Sequence, residues 1–157
     1  IQELIDKNVV FLITGNAIEI FGKYIENEDG SRIEALGMFD IYAKRNMMKR
    51  HNSMFIGKYE DTEIVGFKSQ FTLCYGNNED CYFAKVEKGI GLNEQSKLEG
   101  IQKNNFIATY VIGPILILNP EFTKKILEKM GIQNPSIAFE EDVMAAYKQR
   151  LKELKAL

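Results

Sequence analysis

Side chains able to attack an amide or shuttle a proton are scarce in this chain. Its 157 residues hold two cysteines, Cys74 and Cys81, and one histidine, His51. A thiolate beside an imidazole is a common pairing for amide chemistry, and spacing alone does not bring these residues together. Cys74 lies in a strand-like stretch and reads as a core residue. Cys81 follows the acidic loop Asn77 to Asp80, and His51 follows Lys49-Arg50 on a basic edge. A thiol hydrolase would require Cys74 and His51 to meet in space. The other stretch with chemical promise is Val9 to Gly22. An apolar run, Val9 to Ile13, stops at Thr14-Gly15-Asn16, and a segment with helical spacing follows. In an open α/β sheet such a turn stands at the carboxyl edge, where hydrolases place a nucleophile. This turn carries no thiol. A threonine hydroxyl is a far weaker nucleophile and needs an adjacent base.

The elements around that turn follow from pattern. Ile1, Leu4 and Ile5 share a helical face, and Asn8 is a plausible stop. Val9 to Ile13 is short, unbroken and β-branched, the signature of a strand buried on both faces. Ala17 to Ile25 reads as a helix, with Glu19 as an ordinary acidic residue of its first turn. Thr14 or Asn16 reads first as the cap of that helix, and second as a ligand-binding group. Asp29-Gly30 marks a turn. Strands are expected at Met38–Tyr42, Asn52–Tyr59, Thr62–Lys68, Gln70–Cys74 and Tyr82–Val86, a β-rich middle. Lys88 to Lys103 reads as a glycine-containing loop, and Phe106 to Ile112 as a second buried strand ended by Gly113-Pro114. Asn119-Pro120-Glu121 opens a helix, with Asn119 as its cap. A last helix begins near Ala138, with Val143, Tyr147, Leu151 and Leu154 as its buried stripe.

Composition excludes several classes. Lys+Arg is 20 and Asp+Glu 22, a net charge of -2, with no basic stripe for nucleic acid. The scattered lysines read as solvated surface. Three Cys and His residues lack the spacing of a metal site, so neither metal nor cofactor is expected. No apolar run suffices to span a bilayer, and a cytoplasmic location is the default expectation.

Four local motifs resemble those of the class I glutamine amidotransferase domain of the cobyric acid synthase (CobB/CobQ-like) type. The closest branch is the amidotransferase subunit of lipid II isoglutaminyl synthase. The family's nucleophile turn, approximately C-G-G-x-Q-x-L-G, is similar to Gly15-Asn16-Ala17-Ile18-Glu19-Ile20-Phe21-Gly22. Its Asp-Gly turn and G-L-G segment resemble Asp29-Gly30 and Ala35 to Asp40. Its V-G-F-E-N strand resembles Val65-Gly66-Phe67-Lys68-Ser69. Its E-G segment and G-T-Y-L-H-G-P run resemble Glu99-Gly100 and Ala108 to Pro120.

The resemblance implies a flavodoxin-like three-layer α/β sandwich, a single amidotransferase-like domain over 1–157 without the family's N-terminal β-α units. It also implies that Gly15, or Thr14 in a shifted register, holds the nucleophile position and Ile112 the histidine position. Neither can do ordinary glutamine hydrolysis. The expectation is therefore a domain without glutaminase activity, acting as a scaffold or binding domain. A synthetase or ligase partner and a small amide or amino-acid ligand are implied. Thr14, Asn16, Glu19, Thr109 and Tyr110 are the ligand-binding candidates. The alternatives are an active amidotransferase or amide hydrolase using Thr14 or Cys74, and a structural subunit that completes another chain's sheet. Cobalamin and cell-wall precursors enter only as pathways suggested by the family.

Overall fold

A computed structural model describes residues 1–157. The chain is mixed α/β, with three small sheets and few helices. After a short helix α1 (Gln2–Asp6), Asn8 takes a left-handed conformation and ends it. Strand β1 (Phe11–Thr14) then pairs in parallel with β11 (Phe106–Thr109), Phe11 opposite Phe106 and Thr14 opposite Thr109. The two expected buried strands are therefore neighbours. Side chains from Val10, just before β1, to Ile13 alternate between layers: Phe11 and Ile13 join one core cluster, and Val10 and Leu12 another.

The segment after β1 departs from expectation. A 3-10 helix covers Gly15–Phe21, and the chain turns at Gly22 into β2 (Tyr24–Glu26), where Ala17–Ile25 was expected to be helical. Gly22 lies against β4 (Ile41–Arg45). A Cβ at Gly22 would sit 2.6 Å from the Ile41 carbonyl oxygen, and Lys23 N–H donates to that oxygen at 2.7 Å. Strand pairing thus ends the helix, overriding local periodicity. The Asp29-Gly30 turn joins β2 to β3 (Arg32–Glu34). β2 also pairs with β4, and β4 with β7 (Thr72–Gly76).

The third sheet is built on the hairpin β5 (His51–Tyr59) and β6 (Thr62–Gln70). β8 (Ala84–Lys88) pairs with β5 and with the two-residue β9 (Leu98–Glu99). β10 (Ile101–Lys103) follows directly and pairs with β11. The end of the expected Lys88–Lys103 loop is thus two strands. The chain changes sheets at Gly100 (φ +64), where a Cβ would be 2.5 Å from the Ala108 carbonyl oxygen. These strands are short and carry no periodic signal of their own.

Helices α2 (Pro120–Lys129) and α3 (Glu140–Ala156) lie where they were expected. Asn119, however, does not cap α2 with its side chain. It accepts from Val65 N–H at 2.7 Å and donates Nδ2 to the carbonyls of Val65 and Ile115 at 2.8 and 2.7 Å. A buried amide here ties α2 to the middle of β6. Of the expected α3 stripe, Leu154 is buried with Tyr147 and Leu151 packed beside it, against Ile56 and Val65. Elsewhere, Phe106 anchors one core against Phe11, Phe21 and Phe39, and Phe122 anchors the other against Tyr59 and Phe83. Truncating either to Ala removes about 3–5 kcal/mol. No helix is long and apolar enough to cross a membrane.

Candidate functional site

Parallel pairing of β1 with β11 brings the two turns together. Gly15 has φ +67, and a Cβ built on it would lie 3.4 Å from Ile112 Cγ2. The expected nucleophile and histidine positions therefore touch, at neighbouring strand ends. Ile112 is held by its N–H, which donates to the Phe67 carbonyl at 2.9 Å. At this corner stand a hydrogen, an aliphatic side chain and the exposed hydroxyl of Thr14. Thr14 makes no side-chain cap bond, and Asn16 Nδ2 donates to Thr72 Oγ1 at 3.1 Å. The capping reading fails for both, because Asn16 is drawn to a strand 56 residues away.

Beneath the corner lies a buried polar cluster. Glu19 is 3% exposed, so it is an interior group rather than an ordinary acid of a helix's first turn. Its Oε1 accepts from Thr72 Oγ1 and, at 3.2 Å, from the Tyr110 hydroxyl. Burial holds the Glu19 carboxyl above its usual range, opposed by those two hydrogen bonds and by Arg45. Tyr110 also meets Cys74 Sγ at 3.1 Å. Burial pushes the Cys74 thiol up to about 12, so at neutral pH it is no thiolate. Tyr110 is raised as well, by the same burial.

A second carboxylate closes the floor. Glu99 Oε1 accepts from Thr109 Oγ1 and Tyr110 N–H, both at 2.8 Å, while Oε2 meets Lys68 Nζ at 2.6 Å. Lys68 also donates to the carbonyls of Gly91 and Ile90, at 2.5 and 3.1 Å. Thr109 and Tyr110 are thus turned into the protein, fully enclosed, whereas Thr14 and Asn16 stay at the surface. The structure brings Asn16, Glu19 and Tyr110 into one network through Thr72, and places Thr109 in the adjoining one.

Lys68, Thr72 and Glu99 were not singled out in the sequence for this role. One signal existed for Lys68. It continues the inward two-residue alternation Ile64, Gly66, Lys68 along β6, which makes it the exception among the lysines read as surface.

No imidazole joins Cys74. His51 Nδ1 lies 3.4 Å from Glu94 Oε1, and burial and Lys49 lower its pKa. Cys81 is half-buried beside Asp80. No three His, Cys, Asp or Glu side chains converge as a metal-ligand set.

No protein-family model matches the chain. Two curated proteins do. The chain is 30% identical over 140 residues to the Lipid II isoglutaminyl synthase (glutamine-hydrolyzing) subunit GatD of Staphylococcus aureus, a match that covers 89% of this chain and 56% of that protein. It is 25% identical over 155 residues to the GatD subunit of Streptococcus pneumoniae, covering 92% of this chain and 58% of that protein. The chain is thus similar, along most of its length, to GatD-like amidotransferase subunits. It spans a little over half the length of these relatives.

Proposed function

We propose that this chain is a glutamine amidotransferase-like subunit that has lost its glutaminase centre and serves as a binding or scaffold domain for a synthetase partner. The observation that carries the reading is the Gly15–Ile112 contact. In a class I amidotransferase a thiol attacks the side-chain amide and an imidazole protonates the departing ammonia. The corner that meets here supplies neither group. Cys74, the nearest thiol to the cluster, is sealed, uncharged and bound to Tyr110. Within this reading the 157 residues form one domain on a flavodoxin-like, CobB/CobQ-type core. Thr14 and Asn16 remain as the exposed groups that would meet a small amide or amino acid at the old pocket.

A subunit role is supported by the names of both relatives, which are subunits of a lipid II isoglutaminyl synthase. A second reading, a structural subunit that completes another chain's sheet, has its own support. β1 lies at the edge of its sheet, pairing only with β11, although it is apolar on both faces. Free edges of that kind favour strand addition.

The test is co-purification with the synthetase subunit from the same cell. A stable complex on size-exclusion chromatography is expected. Separate elution at concentrations of about 10 µM would overturn the scaffold role, since it would put the Kd above that range.

A further inference from the structure

A second concave site lies where β4 and β7 meet the start of β5. A pocket of about 300 Å³ is lined by Lys44, Arg45, Lys49, His51, Tyr75 and Glu94, with Asn46 and Leu73 at its margins. None of Thr14, Gly15, Asn16 or Ile112 lines it. The chain as a whole is acidic, at -2, yet this pocket sets three cations against one carboxylate.

The charges are unevenly satisfied. Lys44 Nζ has Glu26 Oε1 at 3.1 Å. Arg45 forms no direct ion pair: Nη1 donates to the neutral Asn27 Oδ1 at 3.0 Å, and its charge also acts on the buried Glu19 carboxyl without a hydrogen bond to it. Lys49 Nζ and His51 Nδ1 share one oxygen, Glu94 Oε1, at 2.9 and 3.4 Å. Glu94 thus stands where an outside anion would stand. Gln70, which does not line the pocket itself, is the direct partner of His51 in the β5–β6 register, so the two side chains share one face. Gln70 is 3% exposed, and neither its amide nitrogen nor its oxygen has a hydrogen-bond partner. Buried amides are nearly always satisfied, and this one has no protein partner beside His51.

We infer that this pocket binds a small, doubly charged oxyanion of the phosphate-monoester class, with Arg45 and Lys49 as its charged donors. A single carboxylate does not suffice, because Glu94 already provides one at high effective concentration. A dianion with three acceptor oxygens displaces it: the planar Arg45 fork takes two oxygens and Lys49 the third. The pocket's function does not depend on whether the Gly15–Ile112 corner does chemistry, so the two readings fail separately.

The experiment is a calorimetric titration of the protein with inorganic phosphate at constant ionic strength, with acetate as the monoanion comparison. Saturable phosphate binding is expected, with acetate at least about tenfold weaker. Arg45→Gln should weaken phosphate binding about tenfold, the loss of one charge-assisted contact. Glu94→Gln, a change at an exposed side chain, should strengthen it several-fold by removing the internal competitor. Lys103→Gln, outside the pocket, should change nothing. Absence of saturation, equal affinity for acetate, or weaker binding in Glu94→Gln would each overturn the assignment, whether or not Arg45→Gln folds.

Discussion

Lys68 Nζ stands 2.6 Å from Glu99 Oε2, and both side chains are closed to solvent. The pair joins β6 to the point where the chain passes from β9 to β10, under the corner formed by Gly15 and Ile112. Removing one partner strands a buried charge, which costs about 3–5 kcal/mol. Lys68→Met should therefore destabilise by that amount in urea unfolding. Combining it with Glu99→Gln, which can still accept from Thr109 and Tyr110, should recover much of the loss. A Lys68→Met protein within about 0.5 kcal/mol of the parent would show that the pair carries no such weight.

Asn119 distinguishes a cap from a strap. A serine caps a helix about as well as an asparagine. If capping were the role, Asn119→Ser would be almost neutral. The three buried bonds to Val65 and Ile115 predict instead that Ser and Ala both cost roughly 3 kcal/mol or more. Chemical denaturation of the two variants side by side decides between them.

Glu19 gives a pH signature. Its carboxyl is raised above 4.5 by burial in the folded state, so above that pH the unfolded chain releases this proton first. Stability contributed by the protonated form is complete below 4.5 and is lost as pH rises through the higher folded value. Glu19→Gln keeps an acceptor for Thr72 and Tyr110 without that loss. The variant should gain stability relative to the parent as pH rises from 4.5 and then level off. A difference that does not vary between pH 4 and 8 would refute the assignment.

The two thiols should separate by reactivity. Cys74 is enclosed and raised to about 12, while Cys81 is only partly covered. In the native protein a disulfide reagent should titrate one thiol promptly and the other only on unfolding. Two equally fast thiols would mean that Cys74 is open to the corner.

Local pattern carried the expectations of β1, β11, the β5–β6 hairpin, α2 and α3, because each has strong periodicity or punctuation. Local pattern did not place the two turns side by side; the parallel β1–β11 register does that. It also missed what tertiary contacts impose. Ala17–Ile25 has helical spacing, yet Gly22 must meet Ile41, so the helix stops early. Glu19, Lys68 and Glu99 look like surface charges one at a time and become interior only because they satisfy each other or their neighbours. Asn119 precedes a proline as a cap does, and its side chain was claimed by β6.

The most direct measurement of the central claim is ammonia release from glutamine, followed with the purified chain alone and with its synthetase partner present. The Gly15–Ile112 corner predicts no release above the uncatalysed background, unchanged in Thr14→Ala and Cys74→Ala. Turnover that disappears in either variant would contradict it.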